Sequence, residues 1–262
     1  MVPSPRRDTC RPLAPTGRFS ISTTLATRTL EKWDGRYPSA VTLIYLLRHA
    51  ESLANEKGIL AGRSDVGLSE RGKSQSKSLA KTLKDLEIDR IVISPIKRCS
   101  ETISPFVSSR KNTSYEVMED FQEMDYGNWS GKRLKFLSLK RDWRKVQNTP
   151  EEFTFPNGES FLDAWGRVSR GMKSLSTRYP KSKILVVTHG DIIKMAIAHT
   201  LGADLKSFQK IRVEPASLSG IEYGKTRSLL FSNKSLISIE TKAKVSRTHR
   251  NKSFVLGGER NS

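Results

Sequence analysis

The stretch VTLIYLLRHAES, residues 41–52, joins an uncharged run of β-forming residues to a short polar motif. Such an apolar run is typical of a strand that is buried on both faces of a sheet. Arg48 and His49 follow directly, where the strand would end. Because ligands of open α/β sheets bind at the carboxyl ends of the strands, the stretch predicts a central strand with a functional motif at its end.

Beyond this strand, short apolar runs alternate with amphipathic stretches. Further strands are predicted over 88–94, 183–188, 218–223 and 228–231. Helices are predicted from an N-cap at Ser69, over 160–178, and from Asp191 to Leu201. Strands separated by helices predict an α/β fold, a three-layer sandwich whose mostly parallel central sheet is flanked by helices.

Three of the predicted strands end in residues with the chemistry of phosphoryl transfer. These ends are Arg48-His49, the segment from Ser94 to Arg98, and His189-Gly190. Paired arginines suit a phosphoryl dianion because each planar guanidinium offers two parallel donors. A neutral imidazole is a competent covalent nucleophile, and the helix that opens at Gly190 adds free backbone N–H groups. The pattern predicts a phosphate pocket at one edge of the sheet.

Six motifs in the same order resemble the signature of the histidine phosphatase superfamily, also called phosphoglycerate mutase-like. They are Arg48-His49-Ala50-Glu51-Ser52 with Asn55, the segment 61–65 with 68–72, Ser94-Pro95-Ile96-Lys97-Arg98, the acidic loop 123–131, Pro156-Asn157-Gly158-Glu159-Ser160, and Val187-Thr188-His189-Gly190. The resemblance covers about residues 41–231. It implies a phosphoglycerate mutase-like fold of the short phosphatase type.

The resemblance also implies roles for individual residues. His49 would be the phosphorylated nucleophile, and Glu123 the general acid for the leaving oxygen and then the base for water. Arg48, Arg98 and His189 would form the phosphate pocket. Substrate contacts are expected from a further set at the pocket and its rim: Asn55, Gly62, Arg63, Gly190 and Glu51. For Arg63 a plain loop position fits equally well, and Glu51 is expected to orient Arg48 or a pocket histidine.

No cofactor and no metal is implied, because the two arginines can neutralise the charge that develops on phosphorus. One position departs from the family pattern, since Ala50 stands where the family usually has glycine. A glycine that is needed for a positive φ would resist this change. We expect a local adjustment at Ala50 without loss of activity.

The sequence leaves open which reaction the protein catalyses. The segment from Gly131 to Gly158 is short, which favours a phosphomonoester hydrolase over a phosphoglycerate mutase-type phosphotransferase, although its many lysines and arginines keep the mutase alternative open. A non-catalytic phosphate sensor is disfavoured because His49, Glu123 and His189 are all present. A small phosphorylated metabolite is the expected partner.

Charge does not identify a partner. The net charge of +19 divides into +4 for residues 1–40, +10 for 41–231 and +5 for 232–262. A basic surface attracts anions in general, and the chain has no recognisable nucleic-acid-binding module, so nucleic-acid binding is disfavoured. The sequence has no apolar run long enough to cross a membrane. A homodimer is compatible with the sequence.

Both termini differ in composition from the central region. Residues 1–40 are predicted to be either disordered or a mis-assigned extension, with translation starting near Val41. A transit peptide is the weaker alternative, because Asp8, Glu31 and Asp34 are acidic. Residues 232–262 are predicted to form a basic tail that either frays or folds back. With only two cysteines and no secretory signal, the expected location is the cytoplasm.

Overall fold

The computed structural model describes residues 41–110 and 113–236. Its strands are β1 (Thr42–Arg48), β2 (Arg90–Ile93), β3 (Glu116–Val117), β4 (Lys183–Thr188), β5 (Ser217–Tyr223) and β6 (Arg227–Ser235). Its α-helices are α1 (Leu53–Glu56), α2 (Glu70–Thr82), α3 (Lys97–Ser108), α4 (Leu134–Leu137), α5 (Trp143–Asn148), α6 (Phe161–Arg178) and α7 (Gly190–Thr200). The predicted extension over 1–40 and the predicted tail beyond Leu236 lie outside the described residues.

The six strands form one sheet in the order β3-β2-β4-β1-β5-β6. The pairs β3-β2, β2-β4 and β4-β1 are parallel, and the pairs β1-β5 and β5-β6 are antiparallel. The prediction of a mostly parallel sheet flanked by helices is confirmed. Strand β6 runs to Ser235, four residues past the predicted end at 231, and so takes in the first residues of the predicted tail.

Alternation along the central strands divides the core into two layers. In β4, Ile184 and Val186 pack with α6 and α7 on one face, while Leu185 and Val187 pack with α2 and α3 on the other. This is the two-residue period of a strand buried on both sides. Pairing of β1 with β4 ends with Arg48 opposite Thr188, so His49 and His189 leave the sheet side by side.

Helix α2 packs closely against the loop that follows His49. Ser69 caps this helix through a hydrogen bond from the Gly72 amide to its Oγ, and the Ser69 amide donates to the carbonyl oxygen of Glu51. A Cβ added to Gly72 would lie 1.9 Å from that same carbonyl oxygen. Only glycine therefore fits at position 72, and the packing fixes the backbone at Glu51, two residues after His49.

We expect Gly72→Ala to destabilise the protein by about 1–3 kcal/mol, the usual cost of overpacking against backbone. The matched control is Gly166→Ala in α6, where the new methyl group would meet only the Arg170 side chain at 3.5 Å. Removing a helical glycine there should stabilise the protein by about 0.5–1 kcal/mol. Urea unfolding of both variants checks this, and equal effects would contradict the close packing of α2.

Candidate active site

The predicted catalytic residues converge at the carboxyl ends of β1 and β4. Arg48, His49, Arg98 and Glu123 line one pocket. His189 is fully buried behind them, with its ring centroid 5.2 Å from that of His49. These residues come from three strand ends and the acidic loop, and each of them is at most 4% exposed. The structure therefore brings the five predicted catalytic side chains together.

Hydrogen bonding defines the chemical state of His49. Its Nδ1 lies 2.7 Å from the carbonyl oxygen of Ala50, which can only accept, so the ring proton is on Nδ1. Nε2 then carries the lone pair, and Arg98 Nε donates to it over 3.2 Å. Burial, together with the charges of Arg98 and Arg48, holds the pKa of His49 well below its ordinary value of 6.5. His49 is thus a neutral imidazole with Nε2 available to a ligand.

His189 is held by the segment that follows β2. Its Nε2 lies 2.7 Å from Ser94 Oγ, and burial followed by the charge of Arg98 holds its pKa well below 6.5. If Ser94 donates to Nε2, the proton of this neutral ring lies on Nδ1. Nδ1 is buried, and it lies 3.9 Å from Glu123 Oε2. In this tautomer His189 presents a donor towards the carboxyl group of Glu123.

The arginines are anchored through backbone carbonyl groups. Arg98 donates to the carbonyl oxygens of Gly62 (2.8 Å) and Ser64 (3.2 Å), and Arg48 donates to that of Val213 (2.8 Å). Both side chains are 1% exposed. Carbonyl partners fix the planes of the guanidinium groups and leave their full positive charge in the pocket, which favours a dianion.

Glu123 is the buried carboxyl group of the pocket. Burial first, and the negative charge of Asp191 second, raise its pKa from 4.5 to about 7, although Arg98 and Arg48 oppose this. Its Oε1 accepts a hydrogen bond from the Met124 amide over 3.0 Å. A carboxyl group with such a pKa can hold a proton at neutral pH and release it to a neighbouring oxygen.

Two of the five residues with predicted substrate contacts, Asn55 and Gly62, line the pocket. The Asn55 side-chain oxygen accepts from the amide and the hydroxyl of Ser52, which leaves its NH₂ group to donate to a ligand. Gly62 has φ +55°, and an added Cβ would lie 2.7 Å from Ser130 Oγ, so the backbone here needs glycine.

The other three do not line the pocket, so their substrate contacts stay predictions. Arg63 donates to the carbonyl oxygen of Glu123 (3.2 Å) and pairs with carboxylates of the neighbouring loop. Glu51 accepts from Ser69 (2.8 Å) and Arg71 (3.0 Å) at the start of α2, and neither contact reaches Arg48 or a histidine. Gly190 is buried as the first residue of α7.

Ala50 and Cys99 have structural explanations. Ala50 is fully buried and is not among the residues with positive φ, which explains why alanine fits without strain. Cys99 Sγ lies 3.6 Å from His189 Nε2, but burial raises the thiol pKa to about 12. Cys99 is therefore a protonated packing residue and not a thiolate nucleophile.

A buried ionic network next to Glu123 was not predicted. The Tyr126 hydroxyl donates to Asp191 Oδ2 (2.8 Å) and Lys194 Nζ to Asp191 Oδ1 (3.0 Å), with both charged residues fully buried. The sequence did contain a signal for it. Helix α7, GDIIKMAIAHT, is apolar on nearly all sides and carries an acid and a base three residues apart. Within 41–110 and 113–236, no group of metal-ligating side chains and no membrane-spanning helix occurs.

Known proteins match this arrangement over most of the chain. Residues 44–233 match the family described as "Histidine phosphatase superfamily (branch 1)". Phosphoserine phosphatase 1 of Hydrogenobacter thermophilus is 32% identical over 189 residues, which cover 71% of this chain and 89% of that protein. A protein of Erwinia tasmaniensis named probable phosphoglycerate mutase GpmB is 25% identical, with 69% and 84% covered. The crystal structure of an alpha-ribazole phosphatase from Shigella flexneri superposes with a TM-score of 0.67 at 26% identity, covering 76% of this chain and 99% of that one.

The raised pKa of Glu123 predicts a pH-dependent stability. Its folded-state pKa of about 7 exceeds the ordinary 4.5, so below pH 4.5 the carboxyl group is neutral in both the folded and the unfolded state and its ionisation does not affect stability. Between pH 4.5 and 7 only the unfolded state releases the proton, which reduces the free energy of unfolding by up to about 3 kcal/mol. Glu123→Gln should therefore gain stability relative to the natural protein as the pH rises from 4.5 to 8.

Urea unfolding at several pH values measures this gain, with Glu119→Gln, at an exposed carboxylate four residues before Glu123, as the matched control. A stability difference between Glu123→Gln and the natural protein that does not change with pH would contradict the raised pKa.

Proposed function

Since this chain belongs to the histidine phosphatase superfamily, we propose that it is a phosphatase in which His49 carries the phosphoryl group from substrate to water. The observation that carries the proposal is the state of His49, a buried neutral ring whose Nδ1 is bound to Ala50 and whose Nε2 meets Arg98 in the pocket. An imidazole in this tautomer attacks phosphorus through Nε2 without first losing a proton.

The first step forms a bond between His49 Nε2 and phosphorus and breaks the bond from phosphorus to the leaving oxygen. Glu123, protonated near neutral pH, gives its proton to that oxygen. Arg48, Arg98 and His189 Nδ1 donate to the non-bridging phosphoryl oxygens, where charge develops. The hydrogen bond from Arg98 to Nε2 has to be exchanged for one to a phosphoryl oxygen when the substrate enters.

The second step returns the site to its starting state. The Glu123 carboxylate takes a proton from water, the water oxygen bonds to phosphorus, and the bond from phosphorus to Nε2 breaks. Inorganic phosphate leaves, while Nε2 regains its lone pair and Glu123 its proton. One carboxyl group thus serves both steps because its pKa lies near neutrality.

The substrate is proposed by class only, as a small phosphorylated metabolite. The Hydrogenobacter relative is named a phosphoserine phosphatase and the Shigella structure an alpha-ribazole phosphatase, so the relatives' names point to phosphomonoesters of different leaving groups. Hydrolysis of a panel of phosphorylated metabolites, with His49→Ala as the blank, identifies the preferred one. A cytoplasmic location and a homodimer remain predictions.

A mutase reaction is the second candidate, because the Erwinia relative is named a probable phosphoglycerate mutase. It shares the first step and differs only in the acceptor, which is a substrate hydroxyl group and not water. We favour water because the segment between the acidic loop and Glu159 is short and holds two short α-helices, α4 and α5, and a 3-10 helix over Pro150–Glu152. Release of inorganic phosphate in the presence of excess phosphoglycerate distinguishes the two, since a mutase would return the phosphoryl group to the substrate.

Covalent trapping tests the nucleophile. Acid-labile, base-stable phosphate should be found on the protein after rapid quenching with labelled substrate, because phosphohistidine has this stability. His49→Ala should abolish both the label and turnover, while the matched variant His199→Ala should keep both, since His199 contacts Ser169 and Arg227 away from the pocket. Label or turnover that survives in His49→Ala would contradict the proposal.

The pH dependence of the first step tests Glu123. Single-turnover phosphorylation by an alkyl phosphate should fall as the pH rises above about 7, where Glu123 loses its proton. Phosphorylation by p-nitrophenyl phosphate should fall much less, because nitrophenolate leaves without protonation. Equal pH profiles for the two substrates would contradict the role of Glu123 as general acid.

A further inference from the structure

Two guanidinium groups bind the backbone of the residue that we propose as the general acid. The carbonyl oxygen of Glu123 accepts one hydrogen bond from Arg63 Nε and another from Arg167 Nη2, both of 3.2 Å. Arg167 also donates through Nη1 to the carbonyl oxygens of Asp120 (2.9 Å) and Gln122 (2.7 Å). One side chain from α6 therefore holds three carbonyl groups of residues 120–123, where the chain enters the acidic loop.

Glu159 joins the two arginines to each other and to the loop. Its Oε1 accepts from Arg167 Nη2 (2.7 Å) and from the Asp125 amide (2.9 Å). Its Oε2 accepts from Arg167 Nε (3.2 Å) and Arg63 Nη2 (3.3 Å). We call Arg63, Glu159 and Arg167 the acid clamp. Both carboxylate oxygens of Glu159 are used within it.

Backbone contacts between the acidic loop and the segment before α6 also stabilise the acid clamp. The Glu159 amide donates to the Asp125 carbonyl oxygen over 3.0 Å. A Cβ on Gly158 would lie 2.4 Å from that oxygen, and one on Gly127 would lie 2.2 Å from the Pro156 carbonyl oxygen. The acidic loop and the segment before α6 thus approach to a distance that only glycines allow.

The acid clamp is built on a rigid element. Glu159 directly precedes Ser160, whose hydroxyl caps α6, and Arg167 lies two turns along the same helix. The side chains of Glu159 and Arg167 are only 13% and 10% exposed, so solvent screens their interaction weakly. The loop that bears Glu123 is therefore fixed to an 18-residue helix by charge-assisted hydrogen bonds.

We propose that Glu159 and Arg167 are positioning residues for the general acid, and that Arg63 acts with them and not as a substrate contact. The inference rests on the proposed function, because it assumes that Glu123 protonates the leaving oxygen. The acid clamp sets where the Glu123 backbone lies, and a general acid has to lie within hydrogen-bonding distance of the oxygen that it protonates.

The charge of Glu159 has a second consequence. Glu123 faces Arg48 and Arg98 from β1 and α3, His189 after β4, and Asp191 from α7. The acid clamp adds two more guanidinium groups on the backbone side of Glu123. The carboxylate of Glu159 offsets the charge of both, and the carboxylate of Asp125, 3.7 Å from Arg63 Nη1, offsets part of the charge of Arg63. Without that carboxylate, the added positive charge would favour ionised Glu123 and lower its pKa.

The test compares two substrates in the same variant. In Glu159→Gln and Arg167→Lys, kcat for an alkyl phosphate should fall about tenfold or more relative to kcat for p-nitrophenyl phosphate, because only the alkyl leaving group needs the acid. The fall of activity with rising pH should begin at lower pH in Glu159→Gln. Glu119→Gln, exposed and outside the acid clamp, is the matched control and should behave like the natural protein.

Of the three clamp variants, Arg63→Gln carries the smallest risk of misfolding, because the Arg63 side chain is 37% solvent-exposed. The clamp role predicts a lower kcat for the alkyl phosphate with KM unchanged. A substrate contact would instead raise KM for both substrates, and that result would overturn the assignment of Arg63. Thermal unfolding of each variant shows whether a change in rate accompanies a change in fold.

The outcomes separate the two proposals. An equal loss with both substrates, or no loss in any clamp variant, would overturn the acid clamp if Glu123→Gln still discriminates between the substrates. If Glu123→Gln shows the same loss of kcat with both substrates, Glu123 is not the general acid, and the proposal of the acid clamp is overturned together with it. A selective loss for the alkyl phosphate in Glu159→Gln, Arg167→Lys and Arg63→Gln supports the proposal.

Discussion

The 2.7 Å hydrogen bond between His49 Nδ1 and the carbonyl oxygen of Ala50 determines what the pocket can do. It places the ring proton on Nδ1 and so directs the lone pair of Nε2 into the pocket. The bond depends on the backbone just after β1, which is fixed by the packing of Gly72 against Glu51 and by the hydrogen bond from the Ala50 amide to Thr102. Helices α2 and α3 therefore influence the tautomer of His49 through this short stretch of backbone.

Burial gives each group of the pocket the protonation state that it needs. Desolvation is the largest cause of the lowered histidine pKa values and of the raised pKa of Glu123. Around the two buried guanidinium groups, backbone carbonyl groups take the place of water. Burial thus makes the proposed nucleophile neutral and the proposed acid protonated. The same burial costs stability, since a carboxyl group and two guanidinium groups lie close together away from water.

Much of the fold and of the site could be predicted from the sequence, because both follow local patterns. The uncharged run 42–47 and the run 183–188 are strands that pair with each other, and the histidines that follow them meet as the strand-end rule requires. The acid clamp could not be predicted in this way. Arg167 lies 44 residues from Glu123 and has the spacing of an ordinary polar residue on an amphipathic helix. Its role depends on a close approach of two loops, which the glycines at 127 and 158 permit but do not specify.

The end of strand β6 shows the same limit, because it depends on pairing with β5 and is not a local property. The Asp191–Lys194 pair differs, since the apolar composition of α7 around these two charges is a local signal of their burial. Arg63 shows that a position within a motif does not reveal what the side chain contacts. The motif suggested a place at the pocket rim, and in the structure Arg63 donates a hydrogen bond to the backbone of Glu123.

The atom that receives phosphorus is the most direct test of the central claim. Protein labelled with ¹⁵N at histidine can be phosphorylated, quenched and examined by NMR for coupling between ³¹P and each ring nitrogen. The hydrogen bond from His49 to Ala50 predicts that phosphorus couples to Nε2 of His49 and that Nδ1 keeps its proton. Coupling to Nδ1, or phosphorus on any other residue, would contradict the account.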